Sequence, residues 1–265
     1  EMESVASLRA KAHAGGFARL LDEQVPTHAR ILECGCGTGQ LSNFLSLKPR
    51  TVFGTDLSLS SLRLAEEFRR QHALRHVTFL HMDLFHPAFN PAQFDLVMSM
   101  GVLHHTSDPQ LGFETLARLV RPGCFLMIGL YHRYGRVLTD LRRVLIRASG
   151  GRARGIDPRP RSSSLNDVRK DAWLRDQYLH PHETKHTLQG VLGWIEAAGL
   201  EFVRSVPGFG FGDPPDHEPQ LFVRRPLSSR PSRWISELAY TFSGSQEGGY
   251  FIVIARKPLH KTTDE

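Results

Sequence analysis

Gly35, Gly37 and Gly39 occupy every second position of the stretch ILECGCGTGQLS at residues 31–42, and Glu33 stands two places before the first of them. Glycine adopts backbone angles that other residues resist and lets a second molecule approach the main chain. An apolar run that enters such a bend and leaves as a helix reads as a nucleotide-binding turn. Dinucleotide turns follow G-x-G-x-x-G, whereas here the third glycine comes one residue early. A pyrophosphate would be repelled by a carboxylate as near as Glu33, and an ammonium or sulfonium would be attracted. Two further acids end later apolar runs, Asp56 in FGTDLS and Asp83 in HMDLF. Asp56 is placed to accept hydrogen bonds from two ribose hydroxyls, and Asp83 can accept from an adenine amino group. Three acids at successive strand ends select an uncharged or cationic adenosine ligand, and S-adenosylmethionine has both cationic groups and no phosphate. Each acid also has a structural reading: Glu33 paired with a nearby arginine, Asp56 as a helix N-cap, and Asp83 in a solvated turn before FHP. Ser58 is the better cap by position.

The elements that must hold these residues are short apolar runs alternating with helical stretches. Strands are expected at 30–34, 51–56, 77–82, 94–100 and 124–130, with helices at 39–47, 58–72 and 109–120, the last closed by RPG at 121–123. Residues 4–24 also read as helical. Near-continuous apolar strands between helices predict an α/β fold whose parallel sheet is covered on both faces. The pattern breaks after residue 130. Residues 136–148 form an amphipathic helix, with Val137, Leu138, Leu141, Val144, Leu145 and Ala148 on one face and Arg136, Asp140, Arg143 and Arg147 on another. The expected setting is a solvated arginine face with the apolar side against the domain. The Gly/Arg/Pro/Ser-rich stretch 149–164 reads as a loop. A helix at 183–198, a strand at 200–207, a helix at 231–243 and a final strand at 248–257 complete the pattern. Residues 131–182 are expected to be an insertion over the carboxyl ends of the strands, the edge where open α/β sheets bind ligands.

ILECGCGTGQLS, GTDLS, HMDLF, FDLVMSMGVLHHTSDP and LARLVRPGCFLMIG together resemble the ordered motifs of the class I S-adenosylmethionine-dependent methyltransferases. The resemblance covers residues 28–130 through these motifs and 183–257 by general layout. It implies a Rossmann-like sheet of seven strands, mostly parallel with the last antiparallel, helices on both faces and a lid after strand 5. It further implies a single domain over 1–265: an N-terminal helical segment 1–27, a cofactor-binding half 28–130, the lid 131–182, and C-terminal helices and strands 183–265. By motif position Glu33, Gly35 and Gly37 would line the methionyl end of the cofactor, with Cys36 and Gly39 in the same turn. Asp56 would hold the ribose and Asp83 the adenine, Leu57 and Leu84 would pack on the adenosine, and Gly101 would lie near the transferred methyl.

Methyl transfer is an in-line displacement at an already activated carbon, so much of the catalysis comes from holding the nucleophile about 3 Å from the methyl. A base is needed only where the acceptor must lose a proton. The candidates are His104 and His105 in VLHHTSDP, Tyr131 in GLYHRYGR, and Tyr178 and His182 in DQYLHPHETKH. His182 and His186 would share a helix face at a spacing that can chelate a metal, but the pattern is H-E-x-x-x-H rather than H-E-x-x-H, and no third ligand is evident. Cys34-x-Cys36 is explained by small buried residues at a strand end. No metal is expected.

The chain has 265 residues, three cysteines without a CxxC pair and a net charge of +6. Nine arginines (133, 136, 142, 143, 147, 152, 154, 159 and 161) face only Asp140 and Asp157 between residues 133 and 161, so the basicity is local. That pattern argues against a chain coated for general nucleic-acid binding. It admits a solvated helix face, an anionic acceptor, or contact with RNA or a membrane surface. A small-molecule acceptor methylated on oxygen, nitrogen or carbon is the first expectation; a tRNA (modified uridine) methyltransferase is the runner-up, and a cofactor-binding protein without transfer activity the rival of another class. No apolar run reaches the roughly 20 residues of a bilayer span, no secretory leader is expected, and the cysteine usage fits a cytoplasmic setting.

Overall fold

A computed structural model of the chain describes residues 4–14, 16–149, 183–210, 219–243 and 249–259. Two N-terminal helices, α1 (Val5–Ala14) and α2 (Phe17–Gln24), precede β1 (Arg30–Cys34), α3 (Gln40–Leu45), β2 (Thr51–Asp56), α4 (Leu59–Gln71), β3 (Val77–His81) and β4 (Phe94–Met100). A 3-10 turn at Leu103–His105 leads to α5 (Pro109–Leu119), β5 (Val120–Tyr131) and α6 (Val137–Ala148). Beyond residue 182 come α7 (Leu188–Ala197), β6 (Glu201–Val206), α8 (Arg230–Ser243) and β7 (Tyr250–Arg256). The seven strands form one sheet in the order β3-β2-β1-β4-β5-β7-β6. The first five run parallel, and β7 inserts antiparallel between β5 and β6. This is the Rossmann-like methyltransferase sheet that the motifs imply.

Strand parity explains why helices cover both faces. Successive side chains of a strand point to opposite sides. Leu32, Val97, Leu126 and Ala255 therefore join Phe113 and Ile195 in one core, and Ile31, Met98, Met127 and Ile254 join Leu45 and Phe68 in the other. Burial on both faces selects the continuous apolar runs seen in the sequence.

Two features position the ligand edge. β1 is third in the sheet, flanked by β2 and β4, so the chain reverses its winding direction there, and the crevice outside the strand ends opens at that point. Arg50, fully buried, donates to the carbonyls of Asp22 and Val25 at 2.7 Å and pairs with the Asp22 carboxylate at 2.6 Å, tying the end of α2 to the sheet. Above that anchor α1, α2 and α3 enclose a groove of about 320 Å³ between Leu8, Lys11, Phe17, Gln40, Phe44 and Met100.

Several expectations need correction. The helix over 4–24 is two helices, separated at Gly16 with φ +67°. RPG at 121–123 does not close α5 but forms an irregularity within β5, where pairing with β4 passes from Phe94↔Val120 to Leu96↔Phe125. The helix expected from 183 starts at Leu188, capped by the Thr187 side chain, which accepts from the Gly190 amide. His186 consequently sits in a β-bridge with His132 instead of on a helix, and His182 lies outside the described residues.

The largest correction concerns α6. Arg136, just before it, and Arg143 point inward, and Val137, Leu141, Val144 and Leu145 face solvent. The cause is Glu183, whose side chain is 2% exposed and pairs with Arg136 at 2.7 Å and Arg143 at 3.0 Å. A buried carboxylate without cations would cost several kcal/mol, and the two guanidiniums that meet it hold this face of the helix inward. Residues 150–182, and with them Tyr178, His182 and most of the expected lid, lie outside the described residues.

Candidate active site

Glu33 is the fourth residue of β1 and is 5% exposed. Burial pushes its carboxyl up to about 7, and the nearby Asp56 charge adds to the rise. The Ser42 hydroxyl, on the first turns of α3, donates to it. Among the described residues no cation pairs with Glu33, so the arginine reading of this acid is not what the fold builds.

Past Glu33 the chain bends through Gly35, Gly37 and Gly39, all with left-handed φ between +54° and +76°. Gly35 has no room for a side chain, since a Cβ there would lie 2.2 Å from Val102 Cγ2. At Gly37 the opposite holds: a Cβ would meet nothing within 4 Å, so this stretch of backbone is open to a ligand. The turn is held by the Thr55 carbonyl, which accepts from the Gly35 and Cys36 amides at 2.7 and 2.9 Å. Cys36 is buried, and its thiol, like that of Cys34, is pushed up by burial.

Asp56 ends β2 and points at the same turn. Its Oδ2 accepts from the Gly37 amide and its Oδ1 from the Ser58 amide, both at 2.8 Å. Ser58, not Asp56, caps α4, accepting from the Ser61 amide at 3.2 Å. Leu57 beside it is 62% exposed, while Leu84 is buried in the core next to Leu103 and Phe113. Asp83 lies two residues beyond β3 at the same edge, where the His86 ring at 2.8 Å and the Phe85 amide hold its carboxyl below the usual range.

A second group gathers where β4 and β5 end. Gly101 has φ +78° and leads into the 3-10 turn of His104 and His105. The Tyr131 ring, at the end of β5, lies 4.1 Å from the His104 ring and 3.9 Å beneath the Arg136 guanidinium. His105 packs 4.2 Å from His104. His104 is buried and His105 half-buried. Residues 183–186 close over them: Thr184 donates its amide to the His104 carbonyl, and the His186 amide donates to the Tyr131 carbonyl. Of the five catalytic candidates, His104, His105 and Tyr131 are brought together; Tyr178 and His182 are outside the described residues.

Tyr250 is the residue that the sequence reading missed. As first residue of the antiparallel β7 it pairs with Tyr131, which puts it at the same sheet edge. Its hydroxyl occupies the space above Gly129, where a Cβ would lie 1.7 Å from it, and comes within 3.9 Å of a Cβ on Gly101. Burial, then the neighbouring Tyr131 and the Glu33 charge, raise its pKa well above the ordinary phenol value. It therefore stays protonated, and among the described residues its hydroxyl makes no hydrogen bond. The signal was the register: a strand inserted antiparallel beside β5 must begin where β5 ends. His132, one residue past Tyr131, faces the other way and pairs with the buried Glu237 at 3.0 Å.

Residues 32–128 match the family model described as a methyltransferase domain. Residues 32–128 carry a methyltransferase domain. Over 208 residues, 69% of this chain and 48% of the relative, the sequence is 29% identical to an uncharacterized protein of Synechococcus sp.. It is 33% identical to the ubiquinone biosynthesis O-methyltransferase of Klebsiella pneumoniae subsp. pneumoniae over 111 residues, 40% of this chain and 44% of that enzyme. The chain thus spans about half the length of the curated relatives it matches. Among solved structures, the PKMT2 protein of Rickettsia typhi in complex with AdoHcy superposes with a TM-score of 0.60 at 15% identity, covering 87% of this chain and 49% of that one. The [4+2]-cyclase SpnF gives 0.56 at 17% identity, covering 96% and 83%. At such identities the likeness is one of fold, and the methyltransferase fold supports more than one chemistry. Among the described residues no group of three or more His, Cys, Asp or Glu side chains is placed to hold a metal, and no helix is long and apolar enough to cross a membrane.

Proposed function

We propose that the protein transfers a methyl group from S-adenosylmethionine to a small-molecule acceptor, with the reaction centred between Gly37, Gly101 and Tyr250. One observation carries the reading: Glu33 is a buried carboxylate with no cation among the described residues, four residues before the open backbone at Gly37. A buried acid of this kind fits a positively charged ligand and disfavours a diphosphate. The bound cofactor would supply a methyl group activated by its sulfonium.

The chain's own residues then have these tasks. Glu33 balances the positive charge of the methionyl end, helped by the Ser42 hydroxyl, which fixes its orientation. Asp56, already anchored by the Gly37 and Ser58 amides, has lone pairs left for ribose hydroxyls, and Leu57 offers an exposed side chain to the adenosine. Asp83 is placed for the adenine amine. On the far side Tyr250 presents a neutral O–H, which can orient an acceptor atom but does not serve as a base. His105 is the group at this edge placed to take a proton from an acceptor that must lose one. The groove between α1, α2 and Met100 is mainly apolar and favours an acceptor with an apolar body.

The inward arginines of α6 weigh against RNA as acceptor, because Arg136 and Arg143 are committed to Glu183 instead of forming a phosphate-binding face. Incubation with methyl-labelled cofactor and a cell extract tests the proposal. Label in a small-molecule fraction is the expected result. Label in nuclease-sensitive material would assign RNA, and no labelled product together with tight S-adenosylhomocysteine binding would assign a non-transferring role.

A further inference from the structure

Two neighbouring helices of the fold are inverted relative to the usual arrangement of an amphipathic helix on a soluble domain. In α6 the charged face is turned inward onto Glu183, and Leu141 and Val144 are 56% and 62% exposed, with Val137 and Leu145 beside them. In α8 the inward face carries Arg233 and Glu237. Arg233 bonds the Gln189 side chain at 2.9 Å, and Glu237 holds His132. The outward face of α8 presents Trp234 and Ile235, the tryptophan 57% exposed. Polar residues that are buried and paired on one side cannot be turned outward, so the apolar faces are locked in solvent by the fold itself.

We propose that these outward faces of α6 and α8 dock on an anionic lipid bilayer. Aliphatic side chains together with a tryptophan suit the boundary between headgroups and acyl chains. The flank is basic: Arg133 is exposed before α6, and Arg142 lies half-buried on the helix. Such a combination is attracted to acidic headgroups. Charge decides against the other occupants. A second copy of the chain would bring two basic rims face to face across a two-fold axis. The sequence that follows α6, residues 149–161, is itself basic, with four arginines against Asp157, so it is a poor occupant of a basic-rimmed face. The inference is independent of the methyl-transfer reading.

Flotation of the full chain with vesicles tests it. Phosphatidylcholine vesicles containing roughly one phosphatidylglycerol in four should carry the protein, phosphatidylcholine alone should carry far less, and added salt should release it. Leu141→Glu combined with Val144→Glu should lower the bound fraction at least about tenfold, with the thermal midpoint and S-adenosylhomocysteine affinity unchanged. Trp234 gives a second readout: a blue shift of emission on anionic vesicles that disappears in Trp234→Phe. Absence of flotation with the anionic vesicles, or flotation of the double variant equal to the parent, overturns the proposal. So does a doubled mass in light scattering that the double variant halves, which would give the face to a second copy.

Discussion

Tyr131 and Tyr250 stand opposite each other across the antiparallel β5–β7 ladder, their ring centres 6.1 Å apart and their planes at 78°. One reaches back to His104 and Arg136, and the other covers Gly129 and approaches Gly101. The pair divides the edge of the sheet into a packed side and a side whose hydroxyl is open to a ligand.

Tyr250→Phe keeps the ring over Gly129 and removes only the hydroxyl. Turnover should fall roughly a hundredfold to a thousandfold, the range for loss of one oriented donor, with S-adenosylhomocysteine affinity little changed. Steady-state kinetics with the labelled acceptor, beside calorimetric binding, checks this. An unaltered turnover number would remove the hydroxyl from the reaction.

Ligand binding should release a proton from Glu33. Burial holds this carboxyl at about 7 in the free protein, and a positive charge beside it lowers that value. Near pH 6 the binding enthalpy should therefore vary with the ionisation heat of the buffer, and Glu33→Gln should abolish the variation. The same shift has a stability consequence. The folded carboxyl binds its proton more tightly than the unfolded one, whose pKa is 4.5. Glu33's contribution is thus fully present below pH 4.5, is lost as pH rises to about 7, and is level above that. Denaturant titrations of parent and Glu33→Gln at the two ends of that window should diverge in this direction.

Asp56→Ala should weaken S-adenosylhomocysteine binding by about 1.5–3 kcal/mol, the range for hydrogen bonds to a charged acceptor. Because the carboxylate also accepts from Gly37 and Ser58, a small fall in thermal midpoint accompanies the loss. A normal dissociation constant in the folded variant would refute the ribose assignment.

Glu183→Ala leaves Arg136 and Arg143 buried beside each other without their carboxylate. A loss of about 3–5 kcal/mol of stability is expected, measurable by urea unfolding. Burial alone would raise the Glu183 carboxyl, but the two guanidiniums win and hold it below its ordinary 4.5. Its stabilising effect is therefore present above pH 4.5 and fades as the solution is acidified below that. A parent protein indifferent to acid in a range where Glu183→Ala is equally indifferent would show that the pair carries no such linkage.

Much of this molecule was legible in its residues because the signals were local. Continuous apolar runs located the strands within a residue or two, except β5, which starts four residues earlier than expected, and Glu33, Asp56 and Asp83 lie along one edge of the sheet as their strand-end positions imply. What escaped was set by distant partners. The inversion of α6 depends on Glu183, far along the chain, so periodicity correctly found two faces and assigned them to the wrong sides. Tyr250 reads as an ordinary strand residue until its ladder with Tyr131 is known. RPG at 121–123 looks like a helix stop because the tripeptide is a turn signal, yet here it is accommodated within a strand.

The position of β7 between β5 and β6 gives the protein a built-in order of assembly. A nascent chain emerging from the ribosome presents Glu33 and its glycines early, but it lacks the strand that separates β5 from β6 until residues 250–256 are made. Partial translation products thus carry two unsatisfied strand borders and an incomplete reaction centre. A synthetic peptide spanning 249–259 added to a chain truncated at 243 would be the matching half of a split protein, restoring both borders and the missing tyrosine together.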